Sequence, residues 1–352
     1  MKKAIKYVLY ILLGLVICFV LLIGYASISN YKPEKFELIN KSESPDIIAS
    51  GSELSLMIWN IGYCGLSQEM DFFYEGGKQV RTTKQQVQEN IGSVGMFLLD
   101  NYLIDFFLLQ EVDFSSKRSY KENEVEIFGN LYSNFHKSYA KNYDVFFVPV
   151  PFTSPLGKVN SGLLTISRYQ QESAIRYSFP GNFGWPTGLF MLDRCFLVNR
   201  YPVDNGKELL IINSHNSSYD DGSLRQQQME YLKTFLLEEY NKGNYIIMGA
   251  DWNQCPPGIV KEFDGYLFDN DNYMEINKNY LPETWTWLYD NKIPTNRRLK
   301  VPFDPEKCAI TLIDYYLLSP NIEVITVEGI DLKFVNSDHN PVRIKVKIIA
   351  EE

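Results

Sequence analysis

Apolar and polar positions divide the chain into a short N-terminal block and a long mixed body. Between Tyr7 and Tyr31 there is no charged residue, and positions 8–23 are an almost unbroken run of Val, Ile, Leu and Phe. A helix that crosses a bilayer needs about 20 mostly apolar residues, so this run and its flanks are long enough. Lys2, Lys3 and Lys6 precede it and favour a cytoplasmic N-terminus, which sends the rest of the chain outward. The same basic start, with small residues at Gly24 and Ala26, also fits a cleavable signal segment. Residues 1–30 are thus an anchor or a signal, and both readings place the body outside the cytoplasm. Residues 31–50, polar with Pro33 and Pro45, predict a linker, and residues 51–352 form the remaining unit.

Within that unit, short apolar runs alternate with a few helical periods. LSLMIWN (54–60), IDFFLLQE (104–111), YDVFFVPV, SGLLTIS, RCFLVNRY, LLIINSH and YIIMGAD (245–251) predict strands. CAITLIDYYLLS and VRIKVKII predict two more near the end of the chain. Residues 82–102 and 223–241 carry apolar positions at helical spacing. Each opens on a capping-box pattern, Thr83 to Gln86 and Ser223 to Gln226. Many strands with few helices indicate an α+β domain built on two packed sheets.

Composition changes this picture little. Aromatic residues make up 14% of the chain, which suits a β-rich core. The net charge is −9, and the first 30 residues hold three lysines and no acid, which leaves −12 on the rest. Such a surface offers no general attraction to nucleic acid, although a local basic groove is compatible with it. Cys64, Cys195, Cys255 and Cys308 lack metal-site spacing. They are either small buried hydrophobes or, in an exported chain, disulfide partners in one of three pairings.

Chemistry gathers at the strand ends. Asn60, Glu111, His215, Asp251 with Asn253, Asp314, and Asp338-His339 all stand at or beside the ends of apolar runs. One carboxylate at a strand end is ordinarily just solvated. Seven such positions share sheet edges and point to a common pocket.

The ordered set WN-IGY, LLQE, SGLLTISR, SH, GADWN, ID and SDHNPV resembles the endonuclease/exonuclease/phosphatase superfamily, over about residues 54–347. That group spans abasic-site endonucleases, pancreatic-type DNases, inositol polyphosphate phosphatases and neutral sphingomyelinases. LLQE and SDHNPV are the sharpest matches. GADWN and SH depart slightly from commoner forms and leave the shape of the loop before Asp251 open. The resemblance implies a four-layer α/β/β/α sandwich of two mainly antiparallel sheets, here preceded by one N-terminal hydrophobic helix. It implies Mg²⁺, with Mn²⁺ as a substitute, held by Glu111, Asn60 and Asp338, since hard oxygen donors suit that ion. Asp251 matches the residue that orients or deprotonates the attacking water, and Asn253 one that holds a phosphoryl oxygen. Asp314 and His339 match an Asp–His pair, and His215 a second phosphate-facing histidine.

Other residues are less specific. Arg168 and Asn60 are expected at the substrate, Arg168 with a surface strand-end arginine as the plain alternative. Arg225, in the first turn of a helix, is expected to tie that helix to the body outside the site. His136 matches no motif and is expected to be structural. Trp285 and Trp287 alternate along a strand and are expected in the core. Trp185, in the Gly/Pro loop GNFGWPTG, is expected to contact substrate.

The leading functional expectation is a phosphodiesterase or phosphatase acting on a lipid or small phosphorylated substrate, in a sphingomyelinase-like manner. An exported nuclease is the alternative. An inactive binding module is a third, and the full set from Glu111 to His339 argues against it. No protein partner is indicated; the partners expected are the phosphorylated substrate and, through residues 1–30, the membrane.

Overall fold

The apolar runs become central strands whose alternate residues face opposite layers, as period-2 geometry requires. The computed structural model describes residues 2–218, 222–271 and 273–350. In chain order the elements are α1 (Lys2–Ser29), β1 (Phe36–Lys41), β2 (Glu53–Asn60), α2 (Lys84–Asp100), β3 (Phe106–Asp113) and α3 (Glu124–Gly129). Then come β4 (His136–Val148), β5 (Gly157–Ser167), β6 (Ser173–Ser178), β7 (Cys195–Pro202), β8 (Glu208–His215), α4 (Ser223–Asn241) and β9 (Tyr245–Asp251). The last are β10 (Leu267–Phe268), β11 (Thr286–Leu288), β12 (Asn296–Arg297), β13 (Ala309–Thr311), β14 (Asp314–Leu318), β15 (Ile322–Gly329) and β16 (Val342–Ile348).

One sheet has the order β1-β6-β7-β8-β9-β14-β11 and the other β15-β16-β2-β3-β5-β4. Each contains a single parallel pair, β8 with β9 and β2 with β3, and is otherwise antiparallel. Leu56 and Ile58 of β2 meet Leu209, Ile211 and Ile247 between the sheets. Met57 and Trp59 face outward onto Val87, Ile91 and Val94 of α2. On the far side, Leu210, Ile212 and Met248 pack against Leu232, Phe235 and Leu236 of α4. The four layers expected from the resemblance are therefore present.

The sheets leave no room for a side chain at Gly249. A Cβ there would stand 2.3 Å from Ile58 Cγ2 and 2.8 Å from Leu108 Cδ1. Gly249→Ala is expected to destabilise the fold by about 1–3 kcal/mol through overpacking. A denaturant melt measures this; an unchanged midpoint would show that the sheets can part without cost. Ala250, the departure in GADWN, lies within β9, so the strand runs unbroken to Asp251.

Three local expectations change. The 31–50 linker is not wholly a tether, because Phe36–Lys41 pairs with β6 as an edge strand. One face supplies the contact: Ile39 packs beside Ala140 and Leu197, while Phe36 and Leu38 on the other face stay exposed. Thr83 caps α2 as expected, accepting from the Gln86 N–H at 3.2 Å. Ser223 does not cap α4, whose cap is Gly222 at φ +96°. CAITLIDYYLLS splits into β13 and β14 at Leu312-Ile313, which puts Asp314 at the head of its own strand.

Helix α1 is 28 residues long and apolar enough to cross a membrane. Its last turns rest against the body, where Ala26 is only 3% exposed. Cys64, Cys195, Cys255 and Cys308 are buried and unpaired, filling space as small hydrophobes.

Candidate active site

Strand register assembles the site. Parallel pairing of β8 with β9 sets His215 beside Asp251, and antiparallel pairing of β9 with β14 sets Asp251 beside Asp314. Three adjacent strands thus offer three functional groups in one row. In the facing sheet, parallel β2 and β3 end together, with Asn60 opposite Gln110 and Glu111 one residue beyond. Asp338 and His339 stand in the turn that leads into β16, the neighbour of β2.

Glu111 occupies an irregular step of the β3–β5 ladder at φ +54°, a conformation unfavourable for a side-chain-bearing residue. Asn253 has φ +51°. Strained backbone at two site residues marks positions held by the surrounding structure for their chemistry. Arg118 lies over the ring of Tyr63 at 3.6 Å from its centroid, and its Nη2 donates to Asp113 Oδ1 at 2.9 Å. The same nitrogen stands 3.6 Å from Glu111 Oε2 and steadies it.

Asp251 accepts from Asn60 Nδ2 at 2.9 Å and from the Asn253 N–H at 3.0 Å. It lies 3.4 Å from His215 Nε2 and 3.8 Å from His339 Nε2. Burial, then the negative charge of Asp314, pushes its carboxyl up to about 6. His339 Nδ1 is 2.7 Å from Asp314 Oδ2, and Asp314 is fixed by its own N–H donating to Thr295 Oγ1. Burial opposes charge on His339, but Asp314, Asp338 and Asp251 together hold the imidazole well above its ordinary value. His215 shifts the other way. Burial, with Arg194, His339 and Arg118 nearby, keeps it neutral.

Glu111 and Asp338 form the candidate metal position. Asp338 is pushed up to about 7, first by burial and then, among the acids, by Glu111. A buried carboxyl whose charge a neighbouring acid opposes, next to a second hard carboxylate, is a donor set that a divalent cation relieves, so the residues fit Mg²⁺. Asp251, Asp314 and His339 also converge, with potential ligand atoms within 4.8 Å of one another. His339 Nδ1 is already committed to Asp314 at 2.7 Å, and its Nε2 stands 3.8 Å from Asp251, so the imidazole offers that cluster no free Nδ1 for an ion.

A pH dependence follows for the metal-free protein. Carboxyls held above their unfolded values of about 4 add stability that is complete below that pH and is lost as pH rises through the folded values. For Asp251 and Asp338 these are about 6 and about 7. In EDTA the melting temperature is therefore expected to fall between about pH 4 and about pH 7 and to level off above. Asp338→Asn is expected to flatten that fall, since each tenfold gain in proton affinity on folding is worth roughly 1.4 kcal/mol. An unaltered slope in that variant would place the titration elsewhere.

The groups open into a cavity of about 490 Å³, with Glu111, His215, Asp251, Asn253, Asp338 and His339 on its surface. Asn253 Nδ2 donates to Asn216 O at 2.9 Å, leaving its second amide hydrogen to the cavity. Asn60 does not reach the cavity wall as expected of a substrate contact. Its Nδ2 supports Asp251, and its Oδ1 accepts from the Gly62 N–H at 3.0 Å.

Arg168 is not in the site. Because β5 runs antiparallel to β3, its C-terminal end lies at the opposite edge of the sheet from Glu111, and Arg168 Nε bonds Asp105 at 2.9 Å there. His136 opens β4 at that same remote end, paired with Ser167. Trp285 is buried and Trp287 packs beside Trp252, as expected of core residues. Trp185 is 71% exposed, so it is no core residue, but it stands off the cavity and donates to Ser27 Oγ at 3.2 Å.

Sequence reasoning missed four cavity arginines, Arg118, Arg194, Arg225 and Arg298, and Asn296 beside them. Arg225 is the clearest correction. Its Nη2 donates to Ser218 O at 3.0 Å and it lines the cavity, because the α4 N-terminus points there. Asn296 lies 3.0 Å from His339 Nε2. Only its place after the Trp285/Trp287 strand hinted at it.

Comparisons with known proteins bear on the fold and the family. No match was found among curated proteins. Among solved structures, ANGEL2, a 2′,3′-cyclic phosphatase in complex with adenosine-2′,3′-vanadate, aligns at TM-score 0.55 and 15% identity, over 91% of this chain and 100% of that one. D. rerio TDP2 complexed with single-strand DNA product aligns at 0.54 and 13%, over 84% and 99%. An endonuclease/exonuclease/phosphatase from Bacteroides vulgatus aligns at 0.53 and 14%, over 84% and 99%. These likenesses establish the fold. The profile described as Endonuclease/Exonuclease/phosphatase family matches residues 57–339, so the chain belongs to that family.

Proposed function

We propose that this chain is a Mg²⁺-dependent phosphodiesterase, with Mn²⁺ able to substitute, acting outside the cytoplasm on a lipid or small phosphorylated substrate. The observation that carries the reading is the row His215–Asp251–Asp314, with His339 behind Asp314 and Glu111 and Asp338 facing it. A divalent ion at Glu111 and Asp338 would neutralise charge developing on the phosphoryl oxygens. Asp251, held by Asn60 and the Asn253 N–H, orients the attacking water and takes its proton. With a value of about 6 it is mostly ionised at neutral pH. His339, kept charged by Asp314, presents its Nε2 side to a phosphoryl oxygen, and neutral His215 with Asn253 offers further hydrogen bonds. The four cavity arginines suit an anionic substrate larger than one phosphate.

A second reading is an exported nuclease, favoured by those same arginines and by the single-strand DNA product named for TDP2. A substrate panel on the full chain, in Mg²⁺, Mn²⁺ or EDTA, tests both. It contains bis-p-nitrophenyl phosphate, sphingomyelin, phosphatidylinositol phosphates, a phosphomonoester and plasmid DNA. EDTA-sensitive hydrolysis of the diesters is expected. Cleavage of DNA alone would select the nuclease, and no metal-dependent hydrolysis at all would remove the proposal.

A further inference from the structure

Helix α1 does not leave the body on a free tether. One face of its last turns rests on the body, where Ala26 is buried. Tyr25 meets the ring of Phe146 edge-on with centroids 4.6 Å apart, and Ser27 Oγ accepts from Trp185 Nε1 at 3.2 Å. Phe146 belongs to β4 and Trp185 to the loop before β7, so two separate parts of the body close on one helix end. A helix rises about 1.5 Å per residue, so Tyr25 and Ser27 lie within about 3 Å of each other along its axis.

If α1 spans a bilayer, those residues stand where the apolar run gives way to polar chain, at the outer boundary of the hydrocarbon. Phe146 and Trp185, in contact with them, share that depth. The turn from β4 to β5 adds Phe152, 86% exposed. Trp185, Phe152 and Phe146 are 71%, 86% and 39% exposed, apolar ring surface that the folded body leaves uncovered. Tryptophan, an aromatic ring with one polar atom, is a residue that settles at a membrane–water interface, and phenylalanine beside it supplies apolar area that enters the same boundary. The same two loops turn apolar residues the other way. Leu156 follows Phe152, Met191 and Leu192 follow Trp185, and all three line the catalytic cavity.

We propose that Trp185, Phe146 and Phe152 form an aromatic apron that lies in the outer headgroup layer of the membrane crossed by α1, and sets the cavity mouth at that level. The proposal rests on the anchor and export reading above. Its occupant is the lipid interface.

Tryptophan fluorescence tests it without any assay of activity. The chain has five tryptophans. Trp59, Trp252 and Trp285 are buried and Trp287 is packed against the core, so Trp185 is the exposed one. The full chain is reconstituted into phosphatidylcholine vesicles, with and without lipids brominated near the headgroup end of the acyl chain. A difference spectrum against Trp185→Phe isolates the Trp185 signal. Brominated lipid is expected to quench most of that signal, and acrylamide to quench it several-fold less than it quenches free tryptophan. Phe152→Trp in the Trp185→Phe background is expected to behave alike. Strong acrylamide quenching with no effect of brominated lipid, at both positions, would overturn the apron while leaving the anchor in place. A chain that fails to float with the vesicles would remove the anchor and the apron together. Loss of phosphodiesterase activity with lipid quenching intact would count only against the proposed reaction.

Discussion

Glu111→Gln is expected to lower kcat at least ~100-fold at saturating Mg²⁺, comparable to removing a principal electrostatic group from a transition state. The substitution keeps the side chain's length and hydrogen-bonding shape. The bulge that holds residue 111 at φ +54° is set by the β3–β5 ladder, so the backbone is not expected to move. Arg118 keeps its bond to Asp113 and remains in place. What is lost is one of two carboxylate charges at the metal position. Calorimetry on the same variant is expected to show weaker Mg²⁺ binding. Near-normal turnover with undiminished Mg²⁺ affinity would move the metal away from Glu111.

Asp314→Asn and His339→Ala are each expected to reduce kcat by about 10³-fold, with the double variant little worse than either alone. The basis is their single short contact of 2.7 Å in a buried setting, where Asp314 holds the imidazole in its charged form. Without that carboxylate, His339 loses the largest of the charges that hold it up against burial. Without the imidazole, Asp314 has no functional partner in the cavity. Kinetics on the two single variants and the double close a thermodynamic cycle. Losses that multiply would show two residues acting separately.

Much of this was legible in the sequence because strand ends follow from simple periodicity. The runs closing on Glu111, His215 and Asp251 end where their chemistry begins; pairing of β8 with β9 joins the last two, and the packing of the two sheets brings Glu111 to them. Thr83 was readable as a cap because its partner lies three residues away. Long-range consequences were not readable. Arg168 follows an apolar strand just as Glu111 nearly ends one, yet β5 runs against β3 and carries it to the far edge of the sheet. Strand direction depends on pairing that no local pattern encodes. Arg225 was misplaced for a similar reason, since a helix period does not tell what its first turn faces. Phe36–Lys41 looked like tether because an edge strand needs only one covered face and two partly apolar positions.

The burial of Ala26 sets an order of events. A peptidase must draw its target into an extended, accessible strand, and exposed segments are where chains are cut. In the folded protein the bond between Ala26 and Ser27 is helical, and Ala26 lies against the body. On the proposed export reading, that bond is open to cleavage only before the last turns of α1 dock. Processing and folding would then compete during export, and a chain that folded first would keep the segment as its anchor.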